Sequence, residues 1–465
     1  MITMKTAGAK QRHGLSHSWY CQFVVLIIAH IACSPAAAQG VRWTLEQCLE
    51  RALNHSPEVS EAVVERRIAE SQLFQAKAGR LPQVTYTSLN GIINGARGDA
   101  VNGRTHSDDL GPFTRGELEV IQPLYTFGRL QNEIRAATMG VETKHAATKK
   151  ARDTVVATVK ELYYNLLLSR QIQALLTEVQ EQFTKALEIA EQRLEAGESA
   201  VTQQDILKLR IGLAGVTKET YTLERAIAVT KEALLHQLNL PPQADFDIAE
   251  TGLEPVMLQL QPLDTYLEQA EKNRPEFTQL EAGLVARQAR LQAARSAYYP
   301  SLFLAGAIRY SVAPNRDDQD NPFVRDDFNY FQAGMALGLR WKLDFWMTHA
   351  KETERLAELT KAEVQKENAT QGIELDIKRR YLEVQETQQK IEAAQTARKA
   401  ARALLVTTLA NFGLGVGDPK DVFDSLGLYT RMASDYYTAV RDYNIAAARL
   451  SQATGQEATT LSYQR

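Results

Sequence analysis

LEQCLERALNHSPEV, residues 45–59, is written a second time as LDTYLEQAEKNRPEF, residues 263–277. Leu45, Leu49 and Ala52 find Leu263, Leu267 and Ala270 in the same places, and Pro57-Glu58 returns as Pro275-Glu276, each 218 residues on. The offset holds well beyond this stretch, pairing Pro82 with Pro300, Phe127 with Phe345 and Gly197 with Gly415. Two Ala/Glu/Leu-rich helices can match by coincidence, but not also in the prolines that end them. The chain is one unit used twice, a first copy over 39–250 and a second over 251–465.

Each copy reads alike. A helix from Thr44 to Arg80 stops at Leu81-Pro82, and its twin from Leu263 to Tyr298 stops at Tyr299-Pro300, because a residue before proline disfavours helix. A strand, a polar loop, a second strand, a very long helix and a return helix come next. The first long helix, Arg129 to Glu195, contains no proline. At about 1.5 Å per residue it approaches 100 Å, beyond any globular norm. Ile172, Leu176, Val179, Phe183, Leu187, Ala190 and Leu194 step by fours and threes along it, a coiled-coil seam. After Gly197 the return helix carries Ile206, Leu209, Leu213 and Val216 at the same kind of spacing. Thr348 to Ala410 and Asp421 to Ala453 repeat the hairpin.

The strands alternate. In Phe331 to Leu343 (FQAGMALGLRWKL), Phe331, Ala333, Met335, Leu337, Leu339, Trp341 and Leu343 share one face, opposite Gln332, Gly334, Ala336, Gly338, Arg340 and Lys342. A membrane strand needs about 9–11 such residues. Tyr330, Phe331 and Trp341 suit an interfacial girdle. Leu302, Leu304, Ile308 and Tyr310 continue the pattern, with weaker strands at Val84–Ile93 and Arg115–Leu124. A half-buried soluble sheet would alternate in the same way. Asn94–Pro112 and Val312–Phe328 read as long polar loops. The acid run Asp317–Asp320 in the second lacks the glycine and distant glutamate of a calcium loop. Four strands cannot close a barrel, and an open sheet edge cannot face lipid. If the strands cross a membrane, several chains must share one barrel.

The ends and the composition narrow the class. Lys5, Lys10 and Arg12 precede the apolar run Phe23–Ala32 and the small residues Ala36-Ala37-Ala38, so residues 1–38 read as a secretory signal peptide. The competing reading is a lipoprotein signal with Cys33 lipidated. Either way Cys21 is lost, and with cleavage before Gln39 only Cys48 is left, without a disulfide partner. A net charge of −3 argues against a nucleic-acid partner, which would want a basic stripe. His55, His106, His145, His236 and His349 show no metal-binding spacing, and no Walker loop or nucleophile elbow occurs. No enzyme activity, catalytic residue, metal or cofactor is expected.

The whole arrangement resembles the TolC-like outer-membrane efflux family over nearly all of the mature chain. The resemblance rests on the repeated opening LEQCLERALNHSPEV, the breaks LPQV and YPSLF, QPLYTFGR after the second strand, and RLEAG, TQQDIL and FGLGVGDPKDVFDSL at the hairpin turns. It implies a mainly α fold with membrane β. Three chains would make one 12-stranded β-barrel in the outer membrane above a periplasmic α-helical barrel. It implies a passive duct for efflux or type I secretion, partnered by a periplasmic adaptor and an inner-membrane pump. A periplasmic coiled-coil adaptor or scaffold is the rival, though it would carry one hairpin rather than two.

One turn carries chemistry: Gly415-Val-Gly417-Asp418-Pro419-Lys420-Asp421-Val-Phe-Asp424. Capping accounts for Asp418, with Pro419 at the first helical position and Asp421 near the positive end of the helix dipole. It does not require Asp424, one turn on and on the same face as Asp421. The resemblance makes Asp421 and Asp424 the paired aspartates of the periplasmic entrance gate, and Asp205 a contact between neighbouring hairpins. Three chains would converge six carboxylates, a ring that repels itself and attracts cations. Some family members latch the closed state with a tyrosine and an arginine where this chain has Phe412 and Gly417, so the resemblance carries no latch across.

Overall fold

The computed structural model describes residues 41–99, 102–198, 201–319, 321 and 323–456. The expected signal peptide over 1–38, Cys33 with it, and Asp320 lie outside the described residues. The chain is mostly helical, and its order is β1 (Val41–Trp43), α1 (Leu45–His55), α2 (Pro57–Ala78), β2 (Gln83–Arg97), β3 (Arg104–Tyr125), α3 (Arg129–Glu195) and α4 (Gln203–Gln237). Then come β4 (Phe246–Ile248), α5 (Leu263–Asn273), α6 (Pro275–Arg295), β5 (Ser301–Val312), β6 (Tyr330–Arg340), α7 (Phe345–Gly413) and α8 (Pro419–Ala453).

Two differences from the sequence reading have local causes. The opening helix of each copy is two helices, not one. Ser56 and Arg274, each before a proline, hold extended ψ values of 134° and 123°, and Pro57 and Pro275 each start a new helix. The stretch 94–112 is largely strand rather than loop, because β2 and β3 stay paired out to Arg97↔Arg104 past an irregularity at Asn94/Gly95.

α3 and α7 run for 67 and 69 residues. α3 packs on α2, α4, α6 and α8, and α7 packs on α5, α6 and α8. At the end of the hairpins nearest their turns, Val179, Phe183 and Ala190 of α3 meet Ile206 and Leu209 of α4, Phe412 of α7, and Val422 and Leu426 of α8 in one core. Both hairpins of a chain thus share apolar packing at their tips. Midway along, a second core lies beside a two-stranded parallel pair, β1 with β4. This pair was not visible in the sequence. Tyr163 Oη donates to the Trp43 carbonyl there at 3.1 Å. Buried Asn444 pins the linker that comes after β4, accepting from Val256 N at 2.9 Å and donating to the Glu254 carbonyl at 2.8 Å. Cys48 is fully buried in that core, and burial, with Glu250 adding to it, pushes its thiol up to about 12.

The four long strands form one antiparallel sheet in the order β2-β3-β5-β6. Residues paired across antiparallel strands point to the same side. Tyr86, Leu118, Ile308 and Ala333 line up on one face, flanked by Phe331, Met335, Leu337 and Leu339 of β6. Met335 and Leu337 are 75% and 70% exposed in the single chain. On that same face Gly116 leaves room for the Tyr310 ring, which crosses it to meet the Tyr86 hydroxyl at 3.1 Å. The opposite face carries Glu117 paired with Arg309 at 2.5 Å. No helix among the described residues is long and apolar enough to cross a membrane.

Candidate functional site

The tip of each hairpin is the same turn. At the end of α3, Glu198 N donates to the Arg193 carbonyl and Gly197 N to the Leu194 carbonyl, with Gly197 at φ 78°. At the end of α7, Val416 N donates to the Asn411 carbonyl and Gly415 N to the Phe412 carbonyl, with Gly415 at φ 86°. Glycine is needed in both places because the left-handed backbone penalises a Cβ.

The return helices start differently beyond these matched turns. Thr202 caps α4, and Asp205 closes the reciprocal box. Asp205 accepts from the Thr202 hydroxyl at 2.6 Å, from Thr202 N at 3.2 Å and from Lys208 Nζ at 3.1 Å. The Thr202 hydroxyl, helped by Lys208, holds the Asp205 carboxyl below the usual carboxylate range. Among the described residues Asp205 is bound to its own hairpin alone.

On α8 the capping role is taken by Asp418, which accepts from Lys420 N at 2.8 Å, with Pro419 starting the helix. Asp421 and Asp424 are exposed, whereas Val422, Ser425 and Leu426 are buried beneath them. Their carboxylates make no hydrogen bond or ion pair among the described residues. Two unneutralised acids therefore project from one face in the first two turns of α8, where the helix dipole offsets part of the cost of placing them together. Phe412 is 1% exposed, and a Cβ on Gly417 would lie 2.7 Å from Phe412 N. Neither position can present a polar side chain without moving the turn.

At the other end of the molecule the strand-to-helix junctions carry a collar of aromatic rings. Trp341, one residue past β6, donates from Nε1 to the Tyr298 carbonyl at 3.1 Å and meets Phe345 edge-on. Tyr298 stacks on Phe345, and Phe127 stacks on Tyr299 at 5.3 Å between ring centres. Tyr125 joins Phe127, whose φ of 48° bends the chain from strand into helix. Trp346 is 90% exposed. Tyr330 and Phe331 stand at the opposite end of β6. Sequence reasoning named Trp341, Tyr330 and Phe331 but missed the rings beside Pro300 and in the QPLYTFGR corner. Phe127 and Phe345 were in fact visible as a repeated pair.

A profile of the family described as Outer membrane efflux protein matches residues 48–239 and again residues 266–456. The chain belongs to this family. The pyoverdine export outer membrane protein OpmQ of Pseudomonas aeruginosa is 23% identical over 377 residues, 78% of either chain. The solved channel OprN superposes with a TM-score of 0.73 over 88% of this chain and 89% of that one, at 16% identity. CmeC of Campylobacter jejuni gives 0.70 over 90% and 89%, also at 16% identity. This outer membrane efflux protein is an outer-membrane channel of tripartite efflux systems with a large periplasmic portion. The rival reading as a periplasmic adaptor falls with that match. Its family and fold are those of transport channels rather than enzymes.

Proposed function

We propose that three copies of this chain assemble into one conduit. The observation that carries the proposal is the pair of open edges. Among the described residues β2 and β6 each lack a strand partner on one side, apart from a bridge between Ala96 near the end of β2 and Arg316, and such backbone groups cannot be left unpaired in lipid. Pairing β6 of one chain with β2 of the next closes a barrel, and three times four strands gives twelve. The Met335, Leu337 and Leu339 face then meets lipid, and the face bearing Glu117 and Arg309 lines the lumen. Each copy of the duplicated unit, 39–250 and 251–465, contributes two strands and one hairpin. The hairpins form the periplasmic α-helical barrel, and Asp421 and Asp424 from three chains form its entrance gate. Asp205, already engaged with Thr202 and Lys208, contacts a neighbouring chain's hairpin.

Tyr330 and Phe331 mark the outer interface, while Trp341 and the collar around it mark the periplasmic one. β6 has 11 residues. At about 3.3 Å each and a tilt near 40° they span roughly 27 Å, close to the apolar band of such barrels. The channel is passive, and a periplasmic adaptor with an inner-membrane pump supplies energy and selects cargo.

The test uses the full chain reconstituted in phospholipid vesicles. We expect a trimer band that shifts on heating. Tryptophan fluorescence should be quenched by lipids brominated near the headgroup more than by those brominated at the acyl end. W341F and W346F should each remove part of that quenching, because Trp43 sits in the periplasmic core and serves as the unquenched reference. A water-soluble monomer whose tryptophans ignore both lipids overturns the proposal.

A further inference from the structure

Arg193 stands in the last turn of α3 at the tip of the first hairpin, 218 residues before Asn411 in the second copy. The duplicated turn is the same in both, so the side chain at this position is not needed to form it. Its guanidinium instead reaches the other hairpin. It lies 4.8 Å from the centre of the Phe412 ring, and its Nη2 donates to the Phe412 carbonyl. Phe412 is in the last turn of α7, where the dipole is negative, and its carbonyl accepts from Arg193 in addition to Gly415 N of the turn. Glu198 at 3.8 Å holds the guanidinium from its own hairpin, and only 13% of the side chain is exposed. Gly415 passes beneath it, where a Cβ would be 3.8 Å from Nη2. One cation thus stacks on the second hairpin's ring, caps its long helix and covers its turn.

We propose that Arg193 is the positioning residue of the periplasmic entrance, clasping the tip of the second hairpin to the first within each protomer. α7 ends at Gly413 and α8 begins at Pro419, so the clasped turn leads directly into the first turn of α8 and Asp421. Fixing Phe412 and Gly415 fixes where Asp421 and Asp424 can lie. Outward movement of the second hairpin relative to the first must break the stack and the hydrogen bond together. An arginine suits this task better than a lysine, because its planar fork stacks and donates at once. The proposal rests on the reading of Asp421 and Asp424 as the entrance, and the experiment separates the two.

A spin label is placed at Val416→Cys, on a residue 80% exposed at the second tip, in the full-length reconstituted channel. With residues 1–38 removed, buried Cys48, its thiol pushed to about 12, leaves the introduced cysteine as the labelled site. With Arg193 present the distances between labels on different chains should be narrowly distributed. Arg193→Gln removes a charge-assisted hydrogen bond and a cation–π contact, which together shift a two-state equilibrium by roughly tenfold or more, so the distribution should broaden at least about twofold. Arg193→Lys, keeping the donor but not the plane, should fall between. An unchanged distribution in folded Arg193→Gln trimers overturns the clasp. If that variant does not assemble, Arg193→Lys decides, and a distribution equal to the unsubstituted chain's overturns it as well. Should Asp421→Ala with Asp424→Ala leave conductance unaltered while Arg193→Gln still broadens the labels, the gate reading fails and the clasp stands.

Discussion

Replacing both Asp421 and Asp424 with alanine should raise single-channel conductance in planar bilayers and weaken block by a trivalent cation at least about a hundredfold. Six exposed carboxylates, two from each of three chains, would surround the entrance. A trivalent cation some 6 Å from one carboxylate gains roughly 2 kcal/mol in bulk water before screening. Screening at about 0.1 M salt takes back much of this, yet the sum over six groups still exceeds the roughly 2.7 kcal/mol that a hundredfold change requires. The block should weaken further as salt is raised, because the groups are exposed. Asp418→Ala is the discriminating control. That carboxylate is occupied with Lys420 N as the helix cap, so its loss should cost about 1 kcal/mol of local stability and leave cation block in place. Equal effects from Asp418 and the pair would mean that the turn's general acidity, not the aligned pair, sets the block. No effect from the pair removes the gate.

Much of this molecule was legible because duplication acts as an internal control. A proline or glycine that recurs 218 residues later with its surroundings marks an element boundary, and the long hairpins and the strand alternation emerge from it. The break at Ser56-Pro57 is written in the same residues, but helical periodicity runs on across it and hides it. The pair β1 and β4 was not legible. Three residues each, joined in parallel across some two hundred residues, carry no periodicity of their own. The candidate site divides along the same line. Asp421 and Asp424 stand three apart on one helix, so their shared face could be read directly. Arg193 touches Phe412 through the fold, 219 residues away, and at its own position it looks like one more charge on a solvated helix. The occupied state of Asp205 was half visible, in that TQQD spells a capping box. The added grip of Lys208, one turn on, shows only once the helix is built.

Met335→Arg should abolish the membrane-assembled, heat-modifiable trimer, while Ala336→Arg, the next residue, should assemble and conduct with altered selectivity. Adjacent strand residues face opposite sides, and Met335 lies near the middle of β6, on the face shared with Gly306 and Leu337. An arginine at the midplane of a barrel's lipid face costs about 2–4 kcal/mol. Every chain carries the substitution, so a trimer bears that cost three times, roughly 6–12 kcal/mol, comparable with the whole stability of an ordinary domain. Snorkelling cannot rescue it fully, because Met335 is the central residue of the strand and the arginine stem reaches only part of the way to either end. Ala336 is exposed on the other face, opposite Ala305, where a long side chain would project into the lumen of the proposed barrel. Three added cations there should lower cation conductance and favour anions without loss of the trimer. If Ala336→Arg is lost and Met335→Arg assembles, the two faces are exchanged and the sheet curves the other way. If both assemble equally well, β6 does not cross a membrane in the register given, and the barrel built on its open edge goes with it.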